Sequence, residues 1–235
     1  MELSGARVLV TGGSSGIGYA TAQRLVHEGA KVAICGRDAA KLERAAAEIH
    51  AIPIAADVSR EGDTVRLIET VIRELGGYDT LINNAGFGRM APLVEIATDD
   101  FRRVWETNVL GAMLVARESA RHFAPQRRGN IVNVASTAGK HGYAGGSAYA
   151  STKFALSGLT ECWRAELRQF NVRVMQINPS EVLTNFRAAS GRPSQPENQT
   201  KLHAEEIAHV IATMLALDDR GFVAEASVWA TNPRD

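Results

Sequence analysis

Cysteine is scarce: only Cys35 and Cys162 occur in 235 residues, far apart along the chain. So sparse a pair argues against a disulfide framework and fits buried or incidental thiols in a reducing, cytoplasmic setting. The six histidines are scattered, with no H-x-x-x-H spacing and no Cys/His cluster, so no metal centre is expected. Charge of one sign is missing as well. Lysine plus arginine and aspartate plus glutamate number 26 each, so the formal net charge is zero. Bulk electrostatics therefore give no reason to expect nucleic acid or an anionic membrane as partner. No apolar run reaches the roughly 18 residues of a membrane span. The start, M-E-L-S-G-A-R, has no basic region followed by an apolar stretch, so no secretory signal is read there. Repeats and low-complexity linkers are also absent.

What is present is the composition of a globular protein, 45% hydrophobic and 22% charged, long enough for one large domain or two small ones. Short apolar runs alternate with helix-like segments along the chain. The runs are 6–10, 31–35, 52–55, 79–83, 129–134 and 172–177, with a weaker one at 226–230. Between them lie segments of 3.6-residue periodicity such as A-T-A-Q-R-L-V-H-E (20–28), which Gly29 is placed to terminate. Near-continuous β-branched runs indicate strands buried on both faces, hence a parallel sheet covered by helices. The expectation is one doubly wound α/β domain over residues 1–235. The polar, proline-bearing stretch that starts at Arg187 reads as a mobile loop over 187–203.

The first strand runs directly into T-G-G-S-S-G-I-G, and a helix follows. In that context Gly12, Gly16 and Gly18 let the backbone turn tightly and approach a pyrophosphate. Ser14, Ser15 and Ile17 stand at a helix N-terminus with free N–H donors. The bland reading is a glycine-rich turn with no ligand. At the tip of the second strand stand Gly36 and Arg37, where an NAD-preferring fold usually presents an acidic side chain. A guanidinium suits a 2′-phosphate, so NADP (NADPH) is favoured over NAD, although Arg37 also reads as a solvated surface residue. Asp38 reads as the N-cap of the next helix. Asp57 can accept from an adenine amino group with Val58 against the ring, or else Asp57 or Ser59 caps the following helix. N-N-A-G, from Asn83 through Asn84, Ala85 and Gly86, is small and polar and lets the backbone approach a ribose.

Tyr149 and Lys153 in S-A-Y-A-S-T-K stand four apart at the start of a helical segment, so a phenol and an ammonium share one face. A tyrosine with a pKa of about 10 exchanges protons poorly at neutral pH. A fixed positive charge beside it favours the phenolate, which suits proton transfer to or from a substrate oxygen. Y-x-x-x-K also occurs by chance on ordinary amphipathic helices.

Taken together, the T-G-x-x-x-G-x-G loop, Asp57-Val58, N-N-A-G, Asn108, Ser136 and Y-x-x-x-K resemble the short-chain dehydrogenase/reductase family in its single-domain branch. The likeness runs from Val8 to about Thr184. It implies a Rossmann-type seven-stranded sheet and hydride transfer at C4 of a nicotinamide. By the same resemblance Tyr149 is the general acid/base, and Lys153 binds the nicotinamide ribose and lowers the tyrosine's pKa. Ser136 hydrogen-bonds the substrate carbonyl, and Asn108 holds a water connecting Lys153 to solvent. Pro179, Val182 and Thr184 match the family's nicotinamide segment, while Ser180 replaces a usual glycine, a restriction on the backbone there. The tail is similar to bacterial members labelled 3-oxoacyl-acyl-carrier reductase or carbonyl reductase, although it lacks the frequent V-D-G-G ending.

The function implied is an NADP-dependent oxidoreductase interconverting a ketone and a secondary alcohol, with a 3-oxoacyl thioester among the candidate substrates. A nucleotide-sugar epimerase or dehydratase shares Y-x-x-x-K but usually carries T-G-x-x-G-x-x-G and a longer C-terminal region. A non-catalytic NADPH-binding sensor or scaffold commonly lacks an active-site residue that this chain has. His141, Tyr143, Phe87, Arg89, Met90, Phe186 and Arg187 are candidate walls of the substrate cleft. Trp105 and Trp163 read as packing residues on long helices. The resemblance also implies a homotetramer or homodimer in contact through helices 98–122 and 147–170.

Overall fold

Strands form where the β-branched runs lie: β1 Arg7–Thr11, β2 Lys31–Gly36, β3 Ile52–Ala55, β4 Thr80–Asn83, β5 Gly129–Val134, β6 Val172–Pro179 and β7 Glu225–Val228. The computed structural model describes residues 1–184, 186, 190 and 200–232. All strand pairs are parallel, in the order β3-β2-β1-β4-β5-β6-β7, the expected seven-stranded Rossmann-type sheet. Alternation along each strand sends its side chains to opposite faces. Val8, Val10, Val32 and Ile34 pack under α1 (Gly16–His27), α2 (Ala39–Ile49) and α7 (Ala204–Ala216). Leu9, Ala33 and Cys35 pack under α3 (Glu61–Leu75) and α5 (Ala112–Gln126). Each fully buried aliphatic side chain contributes about 1.5–3 kcal/mol, so the two layers supply most of the driving force.

Local signals place the helix ends. Asp38 is the N-cap of α2, its carboxylate accepting from the Lys41 N–H at 3.0 Å. α1 ends at His27, and Gly29 follows with φ +86°, a left-handed turn a side chain would strain. Cys35 is buried and Cys162 exposed, and both are free thiols. No helix among the described residues is long and apolar enough to cross a membrane.

One expectation is corrected. The long helix read over 98–122 is divided into α4 (Thr98–Trp105), a π-helical turn (Glu106–Gly111) and α5. The wider turn carries Asn108 inward and seats Gly111 against Val58, where a Cβ would lie 2.9 Å from Val58 Cγ2. Helix α6 (Ser147–Leu167) covers most of the second long segment and closes in a 3₁₀ turn at Arg168–Phe170. Of the loop read over 187–203, the described residues are Ser190 and 200–203; Leu202 there forms a parallel bridge with Val182. Arg187 lies outside the described residues.

Candidate active site

The strand order reverses its direction between β1 and β4. In open α/β sheets a crevice opens beyond the carboxyl ends of the strands at such a point. Here it is a cleft of about 1150 Å³. The two sides of the seam are stitched together. Thr11 Oγ1 accepts from the N–H groups of Asn84 and Ala85, both at 2.9 Å. Asn84 Nδ2 returns bonds to the carbonyls of Thr11 (2.9 Å) and Gly12 (3.3 Å).

Gly12 and Gly16 adopt φ of +66° and +56°, the left-handed region that glycine enters at least cost. Gly18 does not line the cleft. A Cβ there would lie 2.4 Å from the Gly12 carbonyl oxygen, so its role is close packing of α1 on the loop. Ser15 is the N-cap of α1 without a side-chain capping bond, and the first turn of the helix has no acidic residue. The positive end of α1 is therefore uncompensated where Ser14, Ser15, Gly16 and Ile17 line the cleft. That is a fit for a dinucleotide's pyrophosphate.

Beyond the tip of β2, exposed Arg37 lines the cleft together with Asp38 and Lys41. Asp57 and Val58 line it too. Asp57 Oδ1 accepts from the N–H (3.0 Å) and the hydroxyl (2.7 Å) of Ser59, closing a tight turn. Neither residue caps α3, whose N-cap is Arg60.

At the other end, Tyr149 and Lys153 occupy successive turns of α6. Lys153 is 6% exposed, its Nζ donating to the Val134 carbonyl at 2.9 Å and lying 5.6 Å from the centre of the Tyr149 ring. Burial draws its pKa down to about 8, because the charged form loses hydration. Ser136, at the end of β5, caps the 3₁₀ turn Thr137–Gly139 by accepting from the Ala138 N–H at 3.1 Å. Its hydroxyl also donates a long 3.5 Å bond to the Pro179 carbonyl while lining the cleft. That turn packs closely on α6, for a Cβ on Gly139 would stand 2.8 Å from the Lys153 carbonyl oxygen. Close packing there sets where Ser136 sits against the tyrosine and lysine.

Asn108 is 2% exposed and stands behind the cleft wall rather than on it. Its Oδ1 accepts from the Phe87 N–H (3.0 Å), and Nδ2 donates to the Phe87 carbonyl (2.8 Å) and to Thr152 Oγ1 (3.1 Å). Thr152 in turn donates to the Tyr149 carbonyl at 2.7 Å. Both amide N–H groups of Asn108 are thus engaged, which leaves its side chain an Oδ1 lone pair for any water. Sequence patterning held no signal for Thr152.

Ser180 is not among the positive-φ residues, and its N–H donates to the Val228 carbonyl at 2.9 Å. The chain therefore needs no glycine at that position. Pro179, Val182 and Thr184 line the cleft, and Thr184 faces the glycine loop across Gly16. Ala85 and Gly86 line it as well, as do Phe87, Met90, His141, Tyr143 and Phe186 on the outer walls. Arg89 is a correction: it pairs instead with Asp100 at 3.0 Å, drawn to the acidic first turn of α4. Trp105 donates to Ser151 Oγ at 3.2 Å and Trp163 packs on the α3/α5 side of the core. Trp229 and Glu181 line the cleft and were not singled out from the sequence. Among the described residues no cluster of His, Cys, Asp and Glu offers a metal site.

Known proteins resemble this chain in sequence and in fold. A family model described as short chain dehydrogenase matches residues 6–195. The NADP-dependent 3-hydroxy acid dehydrogenase of Schizosaccharomyces pombe is 32% identical over 245 residues, covering 98% of this chain and 95% of that protein. The structure of a 3-ketoacyl-(acyl-carrier-protein) reductase from Brucella melitensis complexed with NADH superimposes with a TM-score of 0.89 at 29% identity, covering 97% and 98% of the two chains. A short chain dehydrogenase from Burkholderia cenocepacia in complex with NADP gives 0.88 at 29% identity and 98% coverage of both. With the parallel sheet, the glycine loop at its switch point and near-complete coverage by these relatives, the chain belongs to the short-chain dehydrogenase family.

Proposed function

We propose that the chain is an NADP(H)-dependent oxidoreductase that interconverts a ketone and a secondary alcohol, with Tyr149 as general acid/base. The observation that carries this reading is the convergence of Tyr149, Lys153 and Ser136 on one cleft with the glycine loop and Arg37. Gly12, Ser14, Ser15, Gly16 and Ile17 take the pyrophosphate, and Arg37 with Lys41 takes the 2′-phosphate. Asp57 and Val58 receive the adenine, and Asn84, Ala85 and Gly86 line the approach to a ribose. Pro179, Val182 and Thr184 receive the nicotinamide, with Tyr149 and Lys153 at its ribose. When bound, the cofactor supplies or accepts the hydride.

The chain's own residues handle the oxygen and the proton. In reduction, the Tyr149 hydroxyl gives its proton to the carbonyl oxygen as the carbonyl carbon gains a hydride. The phenolate left behind is favoured by the Lys153 ammonium 5.6 Å from the ring. Ser136 exchanges its long bond to Pro179 for one to the oxygen on which charge develops. In the reverse direction the phenolate takes the alcohol proton.

A panel of diketones, 3-oxoacyl thioesters, sugars and steroids assayed with NADPH tests the activity. Tyr149→Phe should keep NADPH binding and lower turnover by about 10²-fold or more; near-normal turnover would refute the assignment. Tight NADPH binding with no oxidation on any carbonyl would favour a sensor or scaffold. A cytoplasmic location belongs to the same reading and is supported by the two free thiols. So does a homotetramer or homodimer, supported by exposed Leu110 and Phe154 on segments 98–122 and 147–170. A monomer by light scattering at micromolar concentration would oppose the oligomer.

A further inference from the structure

We infer that the substrate end of the cleft is built for the apolar substituent of a ketone, with Phe186 and Met90 setting its specificity; the inference rests on the ketone-reductase reading above. The Phe186 ring lies 5.2 Å from the Tyr149 ring, tilted by 58°. Its backbone is anchored on both sides. The Phe186 N–H donates to Thr184 Oγ1 at 3.3 Å, and its carbonyl accepts from the N–H (2.9 Å) and hydroxyl (2.7 Å) of Ser190. Across from it, behind the cleft lining, Gly88 leaves room for the approach, since a Cβ there would crowd Ser190 Oγ at 2.9 Å. A Cβ there would stand 3.2 Å from Phe186 Cζ and 3.3 Å from Met90 Cε. Phe186 therefore reaches from the segment after β6 to the loop after β4, directly beside Tyr149.

Met90 Sδ accepts from the Tyr143 hydroxyl at 3.5 Å, which brings the third wall into the same cluster. Trp229, beyond the end of β7, also lines the cleft although 61% of its surface is exposed, so a ligand there would take an indole face out of water. Glu181, an ionisable lining residue here, is engaged by buried Lys201 at 2.8 Å. A substituent on a carbonyl carbon beside Tyr149 thus meets ring faces and a thioether, with the His141 imidazole the further polar side chain on the outer walls. An apolar group gains from that burial, an aromatic one also from ring and sulfur contacts, and a hydroxylated one loses its water.

The test compares acetophenone with dihydroxyacetone, and a 2-alkanone series from butanone to octanone, all with NADPH. The kcat/KM should favour acetophenone and rise by about fourfold per added methylene until the walls are filled. Phe186→Ala should lower kcat/KM for acetophenone by about tenfold and leave the NADPH Kd unchanged, with Phe186→Leu restoring most of the loss. Preference for dihydroxyacetone, a flat alkanone series in the wild type, or equal loss on both ketones in Phe186→Ala would overturn this inference alone. Turnover of no carbonyl despite bound NADPH would overturn the reductase reading and this inference with it.

Discussion

The ammonium of Lys153 stands 5.6 Å from the centre of the Tyr149 ring while donating a 2.9 Å hydrogen bond to the Val134 carbonyl at the end of β5. One cation is thereby tied both to the sheet and to the phenol. The bond to Val134 orients the ammonium, and burial among α6 and β5 lowers its pKa to about 8.

A pH dependence results. Below about 8 the lysine is charged and supports the phenolate; as pH rises through that value it loses its proton and the support ends. In the reductive direction kcat/KM for the ketone at saturating NADPH should therefore fall on the alkaline side with an apparent pKa near 8. Steady-state kinetics over about pH 6–10 check this, and a flat alkaline limb would contradict it.

Arg37 carries the cofactor preference. It lines the cleft beyond the tip of β2 with Asp38 and Lys41, and the Asp38 carboxylate is engaged as the N-cap of α2, accepting from the Lys41 N–H at 3.0 Å. Charge-assisted bonds to a phosphate contribute about 1.5–3 kcal/mol each, so Arg37→Ala should weaken NADPH by about ten- to a hundredfold. NADH, which lacks the 2′-phosphate, should change by less than about twofold. Fluorescence titration of both cofactors reads the difference, and equal wild-type affinities would remove the argument for the phosphate.

Asn108 ties the loop after β4 to the π turn. Asn108→Ala would leave the Phe87 N–H and carbonyl and the Thr152 hydroxyl short of partners. Each buried group left unpaired costs about 1–3 kcal/mol, so the urea midpoint should drop clearly. Asn108→Asp keeps the acceptor for the Phe87 N–H but turns a buried carboxylate oxygen on the Phe87 carbonyl and Thr152 Oγ1, and should cost at least as much as alanine. Wild-type stability in the alanine variant would show that this clamp contributes little.

Local chemistry made most of the fold legible. The β-branched runs coincide with the strands to within a residue or two at most ends, because burial on both faces of a parallel sheet demands such runs. Gly29 and Asp38 act at helix ends as their side chains predict, since capping depends on neighbours within a few residues. Arg89 was misread as a cleft wall because its partner Asp100 lies eleven residues on, beyond any local pattern. The π turn at Glu106–Gly111 escaped notice because its apolar spacing looks helical, and Val58 and Phe87, the groups it packs against, are distant in sequence.

The candidate site divides in the same way. Tyr149 and Lys153 are legible as a pair because one helix places residues four apart on the same face, whatever surrounds them. The glycine loop is legible because left-handed backbone needs glycine locally. Long-range packing sets the rest: the depressed pKa of Lys153, the chain from Phe87 through Asn108 and Thr152 to Tyr149, and the meeting of Phe186 with Met90 across Gly88. Short-range spacing encodes helices, turns and caps, whereas burial and the distance between remote side chains exist only once the sheet has brought its strand ends together.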